Sequence, residues 1–394
     1  MANQYLTGDV IADRMLARVM GELTFIPKVS RTYDKFFDGK GAKEGDSVKV
    51  RKIQHAKIRR GRVADLTPIK DEYINVKLDE QIGVDVGASS ADLALNIDDF
   101  DEQYIKPFAS DLAVTIEGAA IEKVTAMVPD TVGDYGLLDD RKTILDAGVR
   151  LDYNGASRAN RIMLVNPTAG SQMVDAQATL FNSQGKVGKQ YETGLMGTNT
   201  LGFDWYQSTQ MASLTRGTGA GYLVNGANQS GSSLVVDTGT GTIKKGDTFT
   251  LAGVYAVHLQ TKQSLGYLRE FTVTENHAGG AGSIQISPAL VTSGTEQNVT
   301  GAPADNAAIT IEGASGSTYM QNLGFVEDAF YFVTAALPLP KSMEAAGQRR
   351  HQGLNLRYIQ GYDITNDMWV SRFDVIYGAG VLNETHAVRI PNIL

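Results

Sequence analysis

The longest helical repeat in the chain lies between Phe100 and Val128, and it constrains the fold more than any other segment. Apolar residues recur there at every fourth position, namely Tyr104, Phe108, Leu112, Ile116, Ala120 and Val124. Because this spacing places them on one side of an α-helix, the segment predicts a long, one-sided helix that has to be covered by another part of the fold.

Acidic side chains are concentrated where this helix begins. They are Asp98, Asp99, Asp101 and Glu102. The helix dipole favours negative charge at the N-terminal end of a helix, and that effect alone explains the cluster. The alternative is that these carboxylates form an intersubunit contact with basic residues of a neighbouring copy.

Residues 45–86 change to a two-residue period. Val48 and Val50 alternate with basic residues, and later Ile74 and Val76 alternate with polar ones, which predicts a long β-hairpin. The basic residues of this hairpin that are expected to make intersubunit contacts are Lys49, Arg51, Lys52, Lys57, Arg59, Arg60 and Arg62. Such a charge run is either a solvated tip or an arm that binds an acidic surface on another subunit.

The N-terminal segment from Thr7 to Glu22 predicts a short amphipathic helix. Its apolar face consists of Val10, Ile11, Leu16, Val19 and Met20, and Thr7 or Asp9 can cap it. An irregular stretch follows up to Asp38. We therefore expect this helix to need a neighbouring domain or a neighbouring chain to cover its apolar face.

The middle of the chain predicts an α/β region. A helix is expected over residues 139–151 and a buried strand over 161–165, and Asn166 with Pro167 is typical of a helix start. Residues 182–202 are rich in Gly, Ser, Gln and Thr, so an exposed contact loop is expected there.

Residues 217–316 are dominated by Gly, Thr, Ser and short apolar runs. The predicted strands are 234–236, 248–251, 255–259, 268–273, 283–286 and 309–311. Strands at this spacing indicate a small all-β barrel or sandwich inserted into the chain. Mixed structure resumes afterwards, with a predicted core strand over 368–377.

The composition excludes several functional classes. The chain has no cysteine, so disulfides and thiolate metal sites are excluded, and its formal charge of −8 disfavours a protein whose main task is to grip nucleic acid. Neither a phosphate-binding loop nor a Gly-x-Ser-x-Gly nucleophile motif is present, and the five histidines have no metal-ligand spacing. We therefore predict no catalytic residue, no cofactor, no metal and no enzymatic activity. No apolar run reaches the ~18 residues that a membrane helix needs.

The order of these parts resembles the Hong Kong 97-type fold of tailed-phage major capsid proteins. With its β-rich insertion, the chain is similar to coat proteins of short-tailed phages that carry an insertion domain. The most specific segments are 244–254 with its continuation to 263, 322–330 and 373–378. The fold class that the resemblance implies is α+β, with an N-terminal arm, an extended hairpin, a spine helix in a peripheral domain, an α/β axial domain and an inserted all-β barrel-like domain.

The resemblance also implies domain boundaries. The arm would span residues 1–44, the hairpin 45–86, the peripheral domain 87–138, the axial domain 139–216 and the insertion 217–316, with 317–394 completing the peripheral and axial domains. Some members of the fold family join subunits by a Lys–Asn isopeptide bond, but no motif places such a pair here, and none is predicted.

The function implied by the resemblance is self-association into the icosahedral shell around phage double-stranded DNA. The expected partners are further copies in pentamers and hexamers, a scaffolding protein, a portal protein, an optional decoration protein, and DNA through weak non-specific contact, with no membrane partner. The shell would be part of the virion and would assemble in the cytoplasm of the host bacterium. The alternative is another β-rich phage structural protein, such as a tail, decoration or adhesive protein, which leaves the long helix and the basic hairpin unexplained.

Overall fold

The computed structural model describes residues 8–33, 37, 45–52, 56, 61–63, 66, 72–89, 106–176, 196–340, 345–351, 354–365 and 368–393. The chain forms two compact units. The first comprises Met1–Val50, Tyr73–Ala120 and Phe330–Gly380, and the second comprises Arg51–Glu72, Ile121–Ala329 and Val381–Leu394.

Four α-helices lie in the described part of the chain. They are α1 Gly8–Glu22, α2 Lys106–Thr125, α3 Arg141–Tyr153 and α4 Pro167–Ala176. The helix starts follow from local chemistry, because Asp140 accepts a hydrogen bond from the Lys142 amide and Asn166 accepts one from the Ala169 amide. The predicted helices at 139–151 and after Asn166 are thereby confirmed, and α2 confirms the described part of the long helical repeat.

Eighteen strands lie in the described residues. They are β1 Ser47–Arg51, β2 Tyr73–Lys77, β3 Glu80–Ser89, β4 Ile162–Val165, β5 Asp204–Gln207, β6 Ser213–Thr215, β7 Ala220–Val224, β8 Gly231–Thr240, β9 Thr248–Val257, β10 Ser264–Val273, β11 Gly282–Leu290, β12 Ile309–Ile311, β13 Thr318–Phe325, β14 Phe330–Ala335, β15 Ala345–His351, β16 Leu354–Asp363, β17 Met368–Val381 and β18 Ala387–Asn392. The strands at 162–165 and 368–381 confirm the two predicted core strands.

The sheet of the first unit has the order β14-β17-β16-β15, and β3 also pairs with β17. The predicted hairpin ran to Val86, but its two-stranded part, β1 with β2, ends at Lys77. Residues from Glu80 onward pair antiparallel with β17 instead, from Tyr377↔Glu80 to Met368↔Ser89. Leu78 and Asp79, which belong to neither strand, separate the two pairings, and a continuous alternating pattern does not reveal such a change of partner.

The apolar face of α1 is covered by its own chain. The helix packs on β15 and β16, and its buried side chains are Ile11, Ala12, Met15, Leu16 and Val19. Of the two expected partners, a neighbouring domain or a neighbouring chain, the helix is thus covered by distant strands of its own chain, and it needs no second copy to bury these side chains. The predicted face was also rotated slightly, since Val10 is exposed and Met15 is buried.

The mixed sheet of the second unit has the order β18-β13-β4-β5, with β6 pairing to β13. Strands β4 and β5 run parallel, whereas β13 is antiparallel to β4, β6 and β18. The core of this sheet includes side chains from α3, α4, β4 and β18, for example Ile144, Leu151, Met163, Met173 and Val388. The prediction that this region combines helices with a buried strand is therefore confirmed.

The second sheet of this unit, β12-β9-β10-β11-β8-β7, closes on itself. Its two ends meet where the Val224 amide donates to the Ala307 carbonyl and the Asn306 amide donates to the Val224 carbonyl. Aromatic side chains such as Phe249 and Phe271 fill the interior. We refer to these six strands as the closed sheet.

The predicted strands 248–251 and 255–259 are one strand, β9, and not two. The register with β10 shifts between Tyr255↔Leu268 and Thr250↔Glu270, and Gly253 lies in this interval with a φ of +79°. A bulge of this kind inserts unpaired residues without ending the strand, so the glycine indicated a break that does not exist.

No helix among the described residues has both the length and the apolar character of a membrane span.

Candidate assembly site

The ribbon formed by β1 and β2 is an antiparallel pair. The Lys52 amide donates to the Glu72 carbonyl at 2.8 Å, and the Leu78 amide donates to the Asp46 carbonyl at 2.9 Å. Side chains on both faces are mostly exposed or half-buried along both strands. A two-stranded ribbon of this length buries little apolar surface by itself, so its orientation depends on what holds its base.

The base of the ribbon is anchored in the first unit. Val76 and Leu78 are fully buried, and the Leu78 carbonyl accepts a hydrogen bond from the Gly45 amide at 2.8 Å. A Cβ at Gly378 of β17 would overlap the Lys77 carbonyl oxygen, so this close backbone contact requires a glycine. The base of the ribbon is therefore fixed in the first unit.

The predicted contact residues fall into two groups. The side chains of Lys49, Arg51, Lys52 and Arg62 are exposed along the ribbon and its continuation. The others, Lys57, Arg59, Arg60, Asp98, Asp99, Asp101 and Glu102, lie outside the described residues. Whether the acidic cluster approaches a basic ribbon of another copy stays a prediction.

Exposed apolar side chains accompany these charges, and the sequence analysis did not single them out. Val63 is 84% exposed, Leu66 is 87% exposed and Tyr73 is 47% exposed. Large apolar residues with this exposure are available for contact with another molecule. The signal in the sequence was their position between the arms of the predicted hairpin, where no packing partner follows.

A second exposed apolar surface lies on α3 in the second unit. Leu145, Val149 and Tyr153 are separated by four residues each, which places them on one side of the helix, and all three are exposed. The opposite side of α3 packs into the core through Ile144, Ala147 and Leu151. The helix is thus apolar on two sides, and only one of them is covered within the described residues.

Beside this face lies a cavity of about 390 Å³. Its lining combines tyrosines, carboxylates and one guanidinium, and includes Tyr135, Asp146, Val149, Arg150, Tyr153, Tyr267, Glu270 and Glu312. Arg150 stacks 3.6 Å above the centre of the Tyr267 ring and donates to Glu270 at 3.0 Å. Arg150 is therefore engaged by both groups, and Glu312 has Arg216 as its nearby cation.

Glu270 belongs to a buried charged layer between the closed sheet and α3. Besides Arg150, it accepts a hydrogen bond from the Thr131 amide at 2.5 Å, and the neighbouring Arg269 forms an ion pair with Asp130 at 3.2 Å. Burial raises the pKa of Glu270 to about 7, and the nearby Arg150 charge opposes that rise. Buried carboxylates of this kind occur in catalytic sites, but here each charged group has an opposite partner, as a structural layer requires.

Arg389 of β18 ties the mixed sheet to the closed sheet. It is 2% exposed and donates to the Gly246 carbonyl at 2.8 Å, to Thr272 Oγ1 at 2.9 Å and to Thr248 Oγ1. Burial lowers the pKa of this guanidinium. The segment 244–254 was recognised in the sequence, but its partner Arg389 lies 141 positions beyond Thr248, too far for any local pattern.

Metal ligands are not clustered in the described part of the chain, where no group of three or more His, Asp or Glu side chains could hold an ion. The four described histidines lie apart, and His386 contacts Asp328 at 3.0 Å. That pairing lowers the pKa of Asp328 and joins two short segments of the second unit.

A solved phage structure shares the fold of the chain, and two further structures are similar to it. The structure of Mycobacterium phage Che8 matches with a TM-score of 0.50 and 12% identity, and the match covers 99% of this chain and 93% of that one. The capsid of the cyanophage P-SCSP1u gives a TM-score of 0.47 at 13% identity and covers 94% and 88%. The CUS-3 coat protein I-domain is 26% identical over 23% of this chain and 92% of its own, with a TM-score of 0.19. The search of curated proteins returned no match.

The sequence itself identifies the family. The model described as "P22 coat protein - gene protein 5" matches residues 7–390, nearly the whole chain. Together with the capsid fold, this match means that the protein is a structural, non-enzymatic component of a phage capsid. The chain belongs to the P22 coat protein family.

Proposed function

We propose that copies of this coat protein assemble, together with a scaffolding protein, into an icosahedral shell of pentamers and hexamers that encloses phage double-stranded DNA. The shell forms in the cytoplasm of the host bacterium, receives a portal protein and remains as the capsid of the virion. A decoration protein would bind on its outer side. Membership of the coat protein family and the capsid fold support the role in a shell.

The ribbon is the observation that carries the proposal. It has a fixed base, an exposed two-stranded shaft, and both basic and apolar side chains with high exposure, such as Lys52 and Leu66. An isolated ribbon of this kind contributes little to the stability of one chain. Its residues instead suit repeated contacts of modest strength, which let a closed assembly correct its errors before it is complete.

The other parts of the chain are assigned on the Hong Kong 97-type plan. We assign residues 45–86 to the extended hairpin, 87–138 to the peripheral domain with its spine helix, 139–216 to the axial domain and 217–316 to an insertion that faces outward. Residues 317–394 complete the peripheral and axial domains. Within the N-terminal arm, residues 1–44, helix α1 is the fixed part, because its apolar face is already buried in its own unit.

The net charge is consistent with a container for DNA. A formal charge of −8 gives the subunit no general attraction for phosphate, so DNA is not clamped to the wall while it fills the shell. The contact between shell and DNA is then weak and independent of sequence.

Electron microscopy of the purified chain tests the proposal. We expect capsomers or closed shells across a series of protein and salt concentrations, because the ribbon is left exposed for contacts between copies. Small monodisperse monomers under every one of these conditions would contradict the proposed function. Sedimentation velocity on the same samples gives the fraction of chain that has assembled.

A further inference from the structure

The chain contains two Asn-Gly pairs, Asn154-Gly155 and Asn225-Gly226, and the structure places them in different surroundings. Glycine has no side chain to hinder its amide nitrogen, so in such a pair this nitrogen can attack the side-chain carbonyl carbon of the asparagine. Asparagine is one of the thermolabile residues of proteins. Whether a given pair reacts therefore depends on how the fold holds the two groups.

The Asn154-Gly155 pair is held in an unreactive arrangement at the end of α3. Asn154 is 8% exposed, and its side-chain amide donates to Asp130 Oδ2 at 2.6 Å and to the Thr385 carbonyl at 2.9 Å. The Gly155 amide donates to the Asp152 carbonyl at 3.1 Å, and a carbonyl oxygen is too weak a base to take up its proton. Both reacting groups are thus bound to other partners.

The Asn225-Gly226 pair lies in the turn between β7 and β8 of the closed sheet. Asn225 is exposed, and its side chain has no hydrogen-bond partner among the residues that the structure describes. The Gly226 amide donates to Asp305 Oδ1 at 2.8 Å, so the attacking nitrogen faces a carboxylate. The carbonyl oxygen of the same peptide group, that of Asn225, accepts a hydrogen bond from the Gln229 side-chain amide at 2.7 Å.

These two contacts favour loss of the proton from the Gly226 amide. A carboxylate at hydrogen-bond distance can accept this proton while the nitrogen attacks. A donor on the carbonyl oxygen stabilises the negative charge that develops there, as donors in an oxyanion hole do. Asp305 and Gln229 therefore supply a base and an oxyanion donor to the same peptide group, and Asn154-Gly155 has no such carboxylate on its amide.

We propose that Asn225 is a self-modification site of this chain. The Gly226 nitrogen forms a bond to Asn225 Cγ, and Asp305 receives the amide proton and passes it to the side-chain NH2 group, which leaves as ammonia. The product is a cyclic imide between the two residues. Water then opens the ring at either of its carbonyl groups, which yields aspartate or isoaspartate at position 225.

The modification affects the place where the closed sheet closes. Asn225 directly follows Val224, whose amide and carbonyl make the hydrogen bonds to Ala307 and Asn306. Isoaspartate carries the main chain through the former side-chain carbon, so it adds a backbone atom between Val224 and the amide that binds Asp305. The chain therefore carries a slow chemical change at this closure that requires no other molecule than water.

Mass spectrometry of the aged full-length chain tests the site. The purified chain is incubated at neutral pH, samples are digested over time, and the peptides that contain Asn225 and Asn154 are quantified in the same digest. The Asn225 peptide is expected to lose most of its asparagine form to aspartate and isoaspartate, whereas the Asn154 peptide stays unmodified. An intact Asn225, or equal conversion at both positions, would overturn the proposal.

A variant tests the role of the carboxylate. Asp305→Asn keeps an oxygen at the Gly226 amide but cannot take up the proton, so conversion at Asn225 should slow severalfold. Glu275→Gln, which removes another exposed carboxylate in the loop after β10, is the matched control and should convert like the unmodified chain. The Asn154 peptide reports on folding in every sample, because unfolding would release its side chain. Conversion of folded Asp305→Asn at the unmodified rate would contradict the role of Asp305.

Discussion

Helix α1 and the ribbon posed the same question in the sequence, since neither had an evident partner, and the structure answers it differently for the two. The apolar residues of α1, from Ile11 to Val19, are buried on β15 and β16 of its own unit. Among the ribbon residues that the structure describes, by contrast, the base at Val76 and Leu78 is buried, and Val63 and Leu66 remain more than four-fifths exposed.

The difference indicates that α1 contributes to the stability of the folded chain, whereas the ribbon contributes to assembly. An apolar stripe on a short helix is covered by whatever surface the chain brings to it, so α1 contributes to the folding of the unit. A ribbon that carries charge along its length gains little stability from packing on its own chain. Its side chains therefore remain available for contacts with other molecules. Substitutions in α1 should therefore change stability, and those in the ribbon should change assembly.

The largest effect is expected from Leu16→Ala. Leu16 is a fully buried residue of α1, and removing its side chain leaves a cavity that costs about 2–5 kcal/mol of unfolding free energy. Urea unfolding followed by circular dichroism measures the loss. Val10→Ala, in the same helix but 38% exposed, is the control and should change the unfolding free energy by less than about 0.5 kcal/mol. Equal losses in both variants would show that α1 is not packed as described.

A smaller effect is expected at the junction between α1 and α2. Glu117 is 3% exposed and accepts hydrogen bonds from the amides of Thr24 and Phe25, at 2.6 and 3.1 Å. Glu117→Gln keeps the shape but removes the charge and replaces one of the two accepting oxygens by an NH2 group that cannot accept, which should cost about 1–3 kcal/mol of unfolding free energy.

The control for this substitution is Glu122→Gln, at an exposed position of the same helix. It should be nearly neutral in the same urea titration. If Glu117→Gln were as neutral as Glu122→Gln, the two amide contacts would not be holding the end of α1 in place.

The smallest effect on stability, together with a large effect on assembly, is expected from charge reversal in the ribbon. The double variant Lys52→Glu with Arg62→Glu should change the unfolding free energy by no more than about 0.5 kcal/mol, because both side chains are exposed. The fraction of chain in particles, measured by sedimentation, should fall strongly.

The matched control reverses Lys244 and Lys245, two exposed lysines that precede β9, and changes the formal charge by the same amount. It should assemble like the unmodified chain. Equal losses of assembly in the two double variants would mean that net charge matters and the ribbon surface does not.

Much of the fold could be predicted because its determinants are local. The apolar repeat of α2 and the Asn166 cap with Pro167 lie within single segments, and the structure has those helices where expected. The basic residues of the ribbon were found for the same reason, since alternation with Val48 and Val50 is visible over a few positions.

The remaining features depend on contacts between distant segments. The burial of α1 requires β15 and β16, which come more than 300 residues later. The six-stranded sheet closes through hydrogen bonds between Val224 and Ala307. The buried Arg389 donates to carbonyl and hydroxyl groups that lie more than a hundred positions away in the sequence. The cavity beside α3 was missed because its lining residues, such as Asp146, Glu270 and Glu312, belong to three separate segments.

A cryo-electron microscopy reconstruction of the assembled particle tests the central claim most directly, through the exposure of the same residues before and after assembly. We predict that Lys52, Val63 and Leu66 become buried against a neighbouring copy, whereas the residues beneath α1 keep their contacts within one chain. A closed shell in which the ribbon remains surrounded by solvent would contradict the account.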